Sequence, residues 1–492
     1  MDAFKLRNTL VGDYASYVQS SLLIRDPRIA TFVDQQMAAG ALWPDPLIQL
    51  SPAYQTTATV DQVVDAGVLA PFCGSFFRLN QQSLKLYQHQ RTAIDLAQAD
   101  HNYVVTTGTG SGKSLTYLLP IVDAIVRNQP EAGGVRAIIV YPMNALINSQ
   151  LQALDRFKEQ LPEGDCPLRY ARYTGQENDA EKQAIRANPP HILLTNYVML
   201  ELMLTRPAES VLVEAAGQLQ FLVLDELHTY RGRQGADIAL LVRRLRERSG
   251  NPHLQCIGTS ATMASGETQM ERAQAVAAVA SRLFGARVEP PHVVDETLRW
   301  SVSRQTEPTI SELRAAVAAP LGLSMSWEAF QRNPLTTWIE TTFGLRTDAD
   351  GRLRRREPLT LLKGAAHLAA LIDVDVEACA VRLQQLFSIG SAVRGPDGTP
   401  GLAFKLHQFF AQGGSVYATI EPIDQRYLTL QGQHYAPQLE QSGALEHPLL
   451  YPLMFCRECG QEYYGARAAP TTPRSPAASR TRCRFGRSRG WV

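Results

Sequence analysis

The 492 residues predict a doubly wound α/β fold with a parallel sheet, and three observations carry that reading. From about residue 81 to 285, short apolar runs alternate with segments of helical spacing. The runs are almost continuously apolar, as strands covered on both faces are. A glycine-rich turn joins the first run to the first long helical segment. The predicted strands are NYVVTT (102–107), RAIIVYP (136–142), LRYARYT (168–174), HILLTN (191–196), QFLVLDE (220–226) and LQCIGTSAT (254–262). Between them LTYLLPIVDAIVR, ALINSQLQALDRFKEQL, ENDAEKQAIRA and ADIALLVRRLRERSG carry apolar residues three and four apart. Repeated strand–helix alternation is the signature of this class.

The flanks read differently. Residues 1–80 predict a mostly helical accessory region, broken near Trp43–Pro46 and Pro52. Residues 286–450 predict a mixed α+β accessory region. There LTLLKGAAHLAALIDVDVEACAVRLQQLFSIGSAVRG gives two or three helices, and GTPGLAFKLHQFF a strand hairpin, an order that suits a winged-helix module as well as a plain helical insert. Residues 451–465 hold Cys456 and Cys459, one C-x-x-C where tetrahedral zinc needs four ligands; they read as an incomplete cysteine-rich module, a zinc half-site. Residues 466–492 are rich in Pro, Ser and Arg and predict disorder. They read either as a basic nucleic-acid-binding tail or, as their abrupt start after FCRECGQEYYG favours, as a shifted reading frame or a lost continuation.

Composition narrows the function classes. Hydrophobic residues make up 45% and charged residues 19%, enough apolar material for a sizeable core. No apolar run reaches the roughly 18 residues of a membrane span, and the N-terminus lacks a signal-peptide core, so the chain reads as cytoplasmic with no membrane partner. Seven scattered cysteines are too few for a disulfide scaffold. The net charge of +1 conceals an asymmetry. The tail holds seven arginines and no acidic residue, and without it 41 basic residues face 47 acidic ones. A body near −6 does not coat nucleic acid by bulk charge, though a local basic channel remains compatible with it.

Chemistry concentrates in three motifs. Thr107, Gly108, Thr109, Gly110, Ser111, Gly112, Lys113 and Ser114 follow a strand and open a helix, the context of a phosphate-binding loop. Backbone amides there point at phosphate oxygens, aided by the helix N-terminus. Lys113 reaches the β- and γ-phosphates of ATP, and Ser114 offers a hydroxyl to Mg²⁺. Thr107 stands where the full motif has its first glycine. Second, Asp225 and Glu226 end an apolar strand, where adjacent carboxylates need a cation. Asp225 is the expected Mg²⁺ ligand and Glu226 the base that deprotonates the attacking water. His228 follows two residues later. Third, Ser260, Ala261 and Thr262 end the next strand, where short hydroxyls can bond the neighbouring carboxylates.

In this order Q-H-Q, TGTGSGKS, YPMNAL, YTG, TNYVML, DELH and SAT resemble the first RecA-like domain of a superfamily 2 DEAD/DEAH-box helicase, in a DELH variant. LYQHQ, TNYVMLELML and DELHTYRGRQGADIALLVRRL are similar to large bacterial helicases of DNA repair and phage defence, of the mitomycin-repair and DISARM or Druantia types. The resemblance implies that Tyr87 stacks on the adenine of ATP and Gln90 reads its edge. It makes Asp225, Glu226 and His228 the Walker B tetrad's chemistry, with His228, Ser260, Ala261 and Thr262 coupling hydrolysis to strand movement. It places Pro142, Met143, Asn144 and Ala145, then Thr174, Gly175, Thr195 and Asn196, against a nucleic-acid backbone, DNA by family, gripped without sequence readout. Repair or defence proteins are implied partners.

One departure sharpens the expectation. Between 286 and 465 no Q-x-x-G-R-x-x-R pattern supplies the arginines of a second RecA-like domain, so residues 1–492 alone are expected to bind ATP and hydrolyse it weakly. The competing reading is a nucleotide-gated module that clamps DNA or a protein without unwinding. A GTPase or transporter ATPase lacks support, since N-K-x-D and L-S-G-G-Q are both missing.

Overall fold

The computed structural model describes residues 2–108, 110–128, 134–217, 219–261, 268–302, 307–322, 324–396, 398–411, 415–437 and 448–465. Thr109, Thr262, Cys483 and the arginine-rich tail lie outside these residues. The chain divides into two units: residues 53–300 with 347–354, and residues 1–52 with 301–346 and 355–492.

The first unit is built on seven strands: β1 (Tyr103–Thr106), β2 (Ala137–Tyr141), β3 (Tyr170–Tyr173), β4 (Ile192–Asn196), β5 (Phe221–Leu224), β6 (Gln255–Ser260) and β7 (Val293–Asp295). They run parallel in the order β7–β1–β6–β5–β2–β4–β3. Its principal helices are α1 (Gln88–Gln98), α2 (Leu115–Arg127), α3 (Asn144–Lys158), α4 (Asp179–Ala187), α5 (Tyr197–Thr205), α6 (Gly232–Ser249) and α7 (Gln269–Phe284). Alternate strand residues feed opposite layers. Val105, Ile139, Tyr141, Leu194, Val223 and Ile257 pack into one buried cluster. Val104, Ile138, Val140, Leu193, Leu222 and Cys256 pack into the other. Burying such a side chain contributes about 1.5–3 kcal/mol, which explains why the runs show no polar alternation. Helix ends are set locally: Asn178 and Glu181 form a capping box on α4, Thr268 and Glu271 one on α7, and Gly250 and Gly285 close α6 and α7 with left-handed φ of 61° and 60°.

All six predicted strands are present, and β7 is an addition beyond the predicted domain end at 285. Its three residues are too short to register as a periodic run. The N-terminal boundary differs as well. Residues 53–80 belong to the sheet unit, where Val60, Val63, Leu69, Cys73, Phe76 and Phe77 join the first core cluster.

The second unit gathers helices Ala3–Ser21 and Pro27–Ala38 with Ile310–Ala318, Leu361–Ile372 and Val376–Ala392. Phe4, Ile48 and Leu50 pack there with Phe330, Phe343, Leu368 and Phe387. The predicted hairpin over GTPGLAFKLHQFF is corrected. It forms one strand, Phe404–His407, whose antiparallel neighbour is Leu47–Leu50, with Leu359–Thr360 on the far side. This three-stranded sheet takes its middle strand from the N-terminal region, so residues 1–80 are not one accessory region. Cys456 and Cys459 sit in the turn between strands Tyr451–Phe455 and Glu462–Tyr464. Amides of Cys459 and Glu458 hold the Cys456 thiol below its usual range. Among the described residues no group of three or more His, Cys, Asp or Glu is placed to hold a metal ion, and no helix is long and apolar enough to cross a membrane.

Candidate nucleotide site and nucleic-acid edge

The loop after β1 has the curl its glycines predict, with φ of 84° at Gly110 and 68° at Gly112. A side chain at Gly112 would be strained by its φ of 68° and would push aside the Gln90 amide, since a Cβ would stand 2.6 Å from Nε2. Thr107 and Ser111, both buried, bring their hydroxyls to 2.6 Å, so the residue replacing the first motif glycine staples the loop. The Gly108 amide donates to the Glu296 carboxylate at 3.1 Å. His89 Nε2 lies 2.9 Å from the Ser111 carbonyl. A carbonyl only accepts, so the ring carries its proton on Nε2. Burial lowers the pKa of His89, which keeps the imidazole neutral.

The expectation for Gln90 changes. Its side chain is buried; Oε1 accepts from the Tyr87 amide at 2.9 Å and Nε2 donates to the Gly112 carbonyl at 3.0 Å. The amide thus ties the Tyr87 backbone to the phosphate loop, so reading a base edge requires its release. Tyr87 keeps a stacking position, its ring 4.9 Å from Tyr54 and 5.6 Å from His89.

The acidic pair faces this loop because β5 lies one strand away from β1, across β6. Lys113 Nζ stands 3.2 Å from Glu226 Oε1. The turn at Glu226 has a left-handed φ of 52°, rare for a residue with a side chain. Thr259 holds it there: its hydroxyl accepts from the Glu226 amide at 3.2 Å and donates to the Asp225 carboxylate. Burial raises the Asp225 pKa to about 6 against the lowering effect of the Thr259 bond, the behaviour of a carboxylate short of positive charge. Ser260 meets His228 instead of the carboxylates expected for the third motif, with Nδ1 and Oγ 3.2 Å apart, and the same ring nitrogen is 3.2 Å from Glu226 Oε2. Thr259, absent from the predicted set, therefore bonds the Asp225 carboxylate and the Glu226 amide, while Ser260 bonds the histidine; Ala261 brings no polar side chain. Lys113, Ser114, Asp225 and Glu226 fit Mg²⁺-ATP in donor type: a cation for phosphate, a hydroxyl and a carboxylate for the metal, and a carboxylate for water.

Asn144, Thr174, Gly175 and Asn196 meet at the adjoining rim, where β2, β3 and β4 end. Asn196 stitches them: Nδ2 donates to Asn144 Oδ1 at 2.8 Å and to the Thr174 carbonyl at 3.3 Å, while Oδ1 caps α5 through the Met199 amide at 2.8 Å. Pro142 is half-buried beside them. Two predicted contacts are corrected. Thr195 is fully buried and donates to the Tyr173 carbonyl at 2.7 Å, so its hydroxyl cannot meet a strand. The Thr174 hydroxyl is also buried and donates to Glu177 at 2.9 Å. Glu177, Glu296 and His89 escaped notice because isolated polar residues carry no periodic signal.

Residues 87–270 match the DEAD/DEAH box helicase family model. The chain is 25% identical to the Druantia protein DruE of Escherichia coli (strain UMEA 4076-1), over 92% of this chain and 32% of that protein. It is 33% identical to the uncharacterized ATP-dependent helicase YprA of Bacillus subtilis (strain 168), over 37% of this chain and 23% of that protein. A crystal structure of the DUF1998 helicase MrfA bound to DNA aligns with a TM-score of 0.40 at 25% identity, over 51% of this chain and 30% of that one. The chain thus spans about a third or less of the curated relatives it matches. Residues 87–270 hold the phosphate loop, the DELH turn and six of the seven strands of the sheet, and form a DEAD/DEAH box helicase domain.

Proposed function

We propose that this chain is the ATP-binding motor portion of a nucleic-acid helicase or translocase, acting on DNA. The Lys113–Glu226 pair, 3.2 Å apart across the mouth of the phosphate loop, carries the reading. A triphosphate entering the loop attracts Lys113 toward its β- and γ-oxygens and takes it from Glu226. Glu226 is then free to accept a proton from water as the water oxygen attacks the γ-phosphorus and the bond to the β–γ bridging oxygen breaks. Ser114 and Asp225 would hold Mg²⁺, which neutralises phosphate charge when bound. His228 and Ser260 link Glu226 to the end of β6, a route by which hydrolysis reaches neighbouring loops. Next to this site, the Asn196-stitched rim, with the part-exposed guanidinium of Arg172 beside it, would meet a sugar–phosphate backbone, a grip that does not depend on base sequence.

Turnover by residues 1–492 alone is slow in this reading, because an arginine from a second RecA-like lobe contributes about 10³–10⁵. DNA as substrate and repair or defence proteins as partners follow from the sequence resemblance. The test measures phosphate release with and without single-stranded DNA or RNA, and displacement of a labelled strand. Release that DNA accelerates and that Glu226→Gln removes supports the proposal. Nucleotide-dependent DNA binding with no hydrolysis at any DNA concentration favours the clamp instead.

A further inference from the structure

At the nucleic-acid edge one anion site is already filled by the chain itself. The Glu177 carboxylate accepts from the Thr174 amide at 2.8 Å, the Gly175 amide at 2.9 Å and the Thr174 hydroxyl at 2.9 Å. Arg172 Nε stands 3.2 Å from Oε1, the oxygen that also accepts from the Thr174 hydroxyl. The Glu177 side chain is only 3% exposed, whereas that of Arg172 is 33% exposed. Gly175 has a φ of 88°, which turns successive amides toward one point. Two amides, a hydroxyl and a guanidinium around two oxygens form the donor set that also suits a phosphodiester. Burial alone would raise the pKa of Glu177, but the hydrogen bonds from Thr174 and Gly175 outweigh it and hold the carboxyl below its usual range. The pocket favours a negative charge.

We propose that Glu177 is an internal stand-in for a strand phosphate, and that a nucleic-acid phosphate displaces it to reach Arg172 and the amides of Thr174 and Gly175. This rests on the nucleic-acid reading above. The geometry makes the alternatives exclusive, because a carboxylate kept in the nest repels a phosphate brought to its rim. Withdrawal of Glu177 leaves the start of α4 intact, because Glu177 precedes Asn178, whose cap on α4 uses Glu181 rather than Glu177. Arg172 is also held by Asn148, with Nη1 donating to Oδ1 at 2.6 Å, so it stays in place when Glu177 leaves.

The test compares wild type with Glu177→Gln, binding a fluorescein-labelled oligodeoxythymidine by anisotropy across a salt series, with melting temperature recorded for both. Gln keeps the acceptor and removes the charge. The variant is expected to bind about fivefold tighter, from loss of one like charge beside a phosphate. Its salt slope is expected to steepen by about 0.7, one further contact on a single strand. Arg172→Gln weakens binding in either background. Equal or weaker binding by a Glu177→Gln chain with unchanged melting temperature overturns the proposal and makes Glu177 a permanent brace. If that variant does not fold, hydrogen exchange on the wild type decides. Faster exchange across residues 176–178 when the oligonucleotide binds supports displacement; unchanged or slower exchange rejects it. Absence of binding by wild type and variant alike would sink the nucleic-acid reading itself, a result distinct from equal binding.

Discussion

The proposed nucleotide edge and the proposed nucleic-acid edge lie on one sheet, at the C-terminal ends of its strands, yet they are built on opposite principles. At the first, functional side chains face one another across open loop backbone: Lys113 meets Glu226, and His228 meets Ser260. At the second, the side chains are turned inward. Asn196 ties Asn144 to Thr174, Thr195 bonds Tyr173, and Glu177 occupies the loop amides. A site that makes and breaks bonds needs its carboxylates and cation available as side chains. A track that grips a repeating backbone needs only a rigid rim presenting amides and one guanidinium, so its polar side chains serve as scaffolding. The difference teaches that a polar residue in a motif is as often the holder of a site as its contact.

The largest expected effect tests the first half of that contrast. Glu226→Gln should leave ATP affinity within about twofold and lower phosphate release by about 10²–10⁴, the range for losing a general base; quench-flow or coupled phosphate assays read it. Asn196→Ala tests the second half. Losing a helix cap and two loop bonds should cost about 2 kcal/mol of stability and weaken oligonucleotide binding, while Mg²⁺-ATP affinity holds; thermal melts and anisotropy measure both. If ATP affinity falls equally, the two edges are one site.

A pH series sharpens the scaffold claim. His191, buried at the start of β4, accepts from the Arg169 amide at 3.2 Å. Burial, with Arg169 and Arg136 adding to it, lowers its pKa to about 4. The unfolded chain takes up the proton near 6.5 and the folded chain only near 4, so this contribution is intact above pH 6.5 and is lost as pH falls toward 4. Stability should drop by about 1–2 kcal/mol between pH 7 and 5, and His191→Gln should flatten the profile. The smallest effect is Thr195→Val. It should cost about 1 kcal/mol and change oligonucleotide affinity by less than twofold, whereas a direct strand contact would show a larger loss.

The two edges also differ in how far the sequence disclosed them. Strands β1 to β6, helices α2, α3, α4 and α6 and the loop from Thr107 to Ser114 were legible because each rests on neighbours in the chain: runs of apolar residues, a glycine curl, a helix start. The DELH turn was legible because an acidic pair at the end of an apolar strand is costly without a cation. Thr259, Glu296, Glu177 and His89 were not, since each acts on a partner 33, 188, 3 and 22 residues away that only the fold or a loop's curl supplies. Distance along the chain also explains the missed strand partner of Phe404–His407, which comes from Leu47–Leu50. A hairpin was the local answer, and the sheet chose a remote one.

The most direct test is equilibrium binding of a fluorescent ATP analogue with Mg²⁺ to wild type and to Lys113→Ala, both confirmed folded by circular dichroism. A phosphate loop centred on Lys113 predicts saturable wild-type binding that weakens at least about 100-fold in the variant, the loss of a buried charge-assisted contact. Equal affinity in the two proteins would contradict the nucleotide site and, with it, the motor assignment.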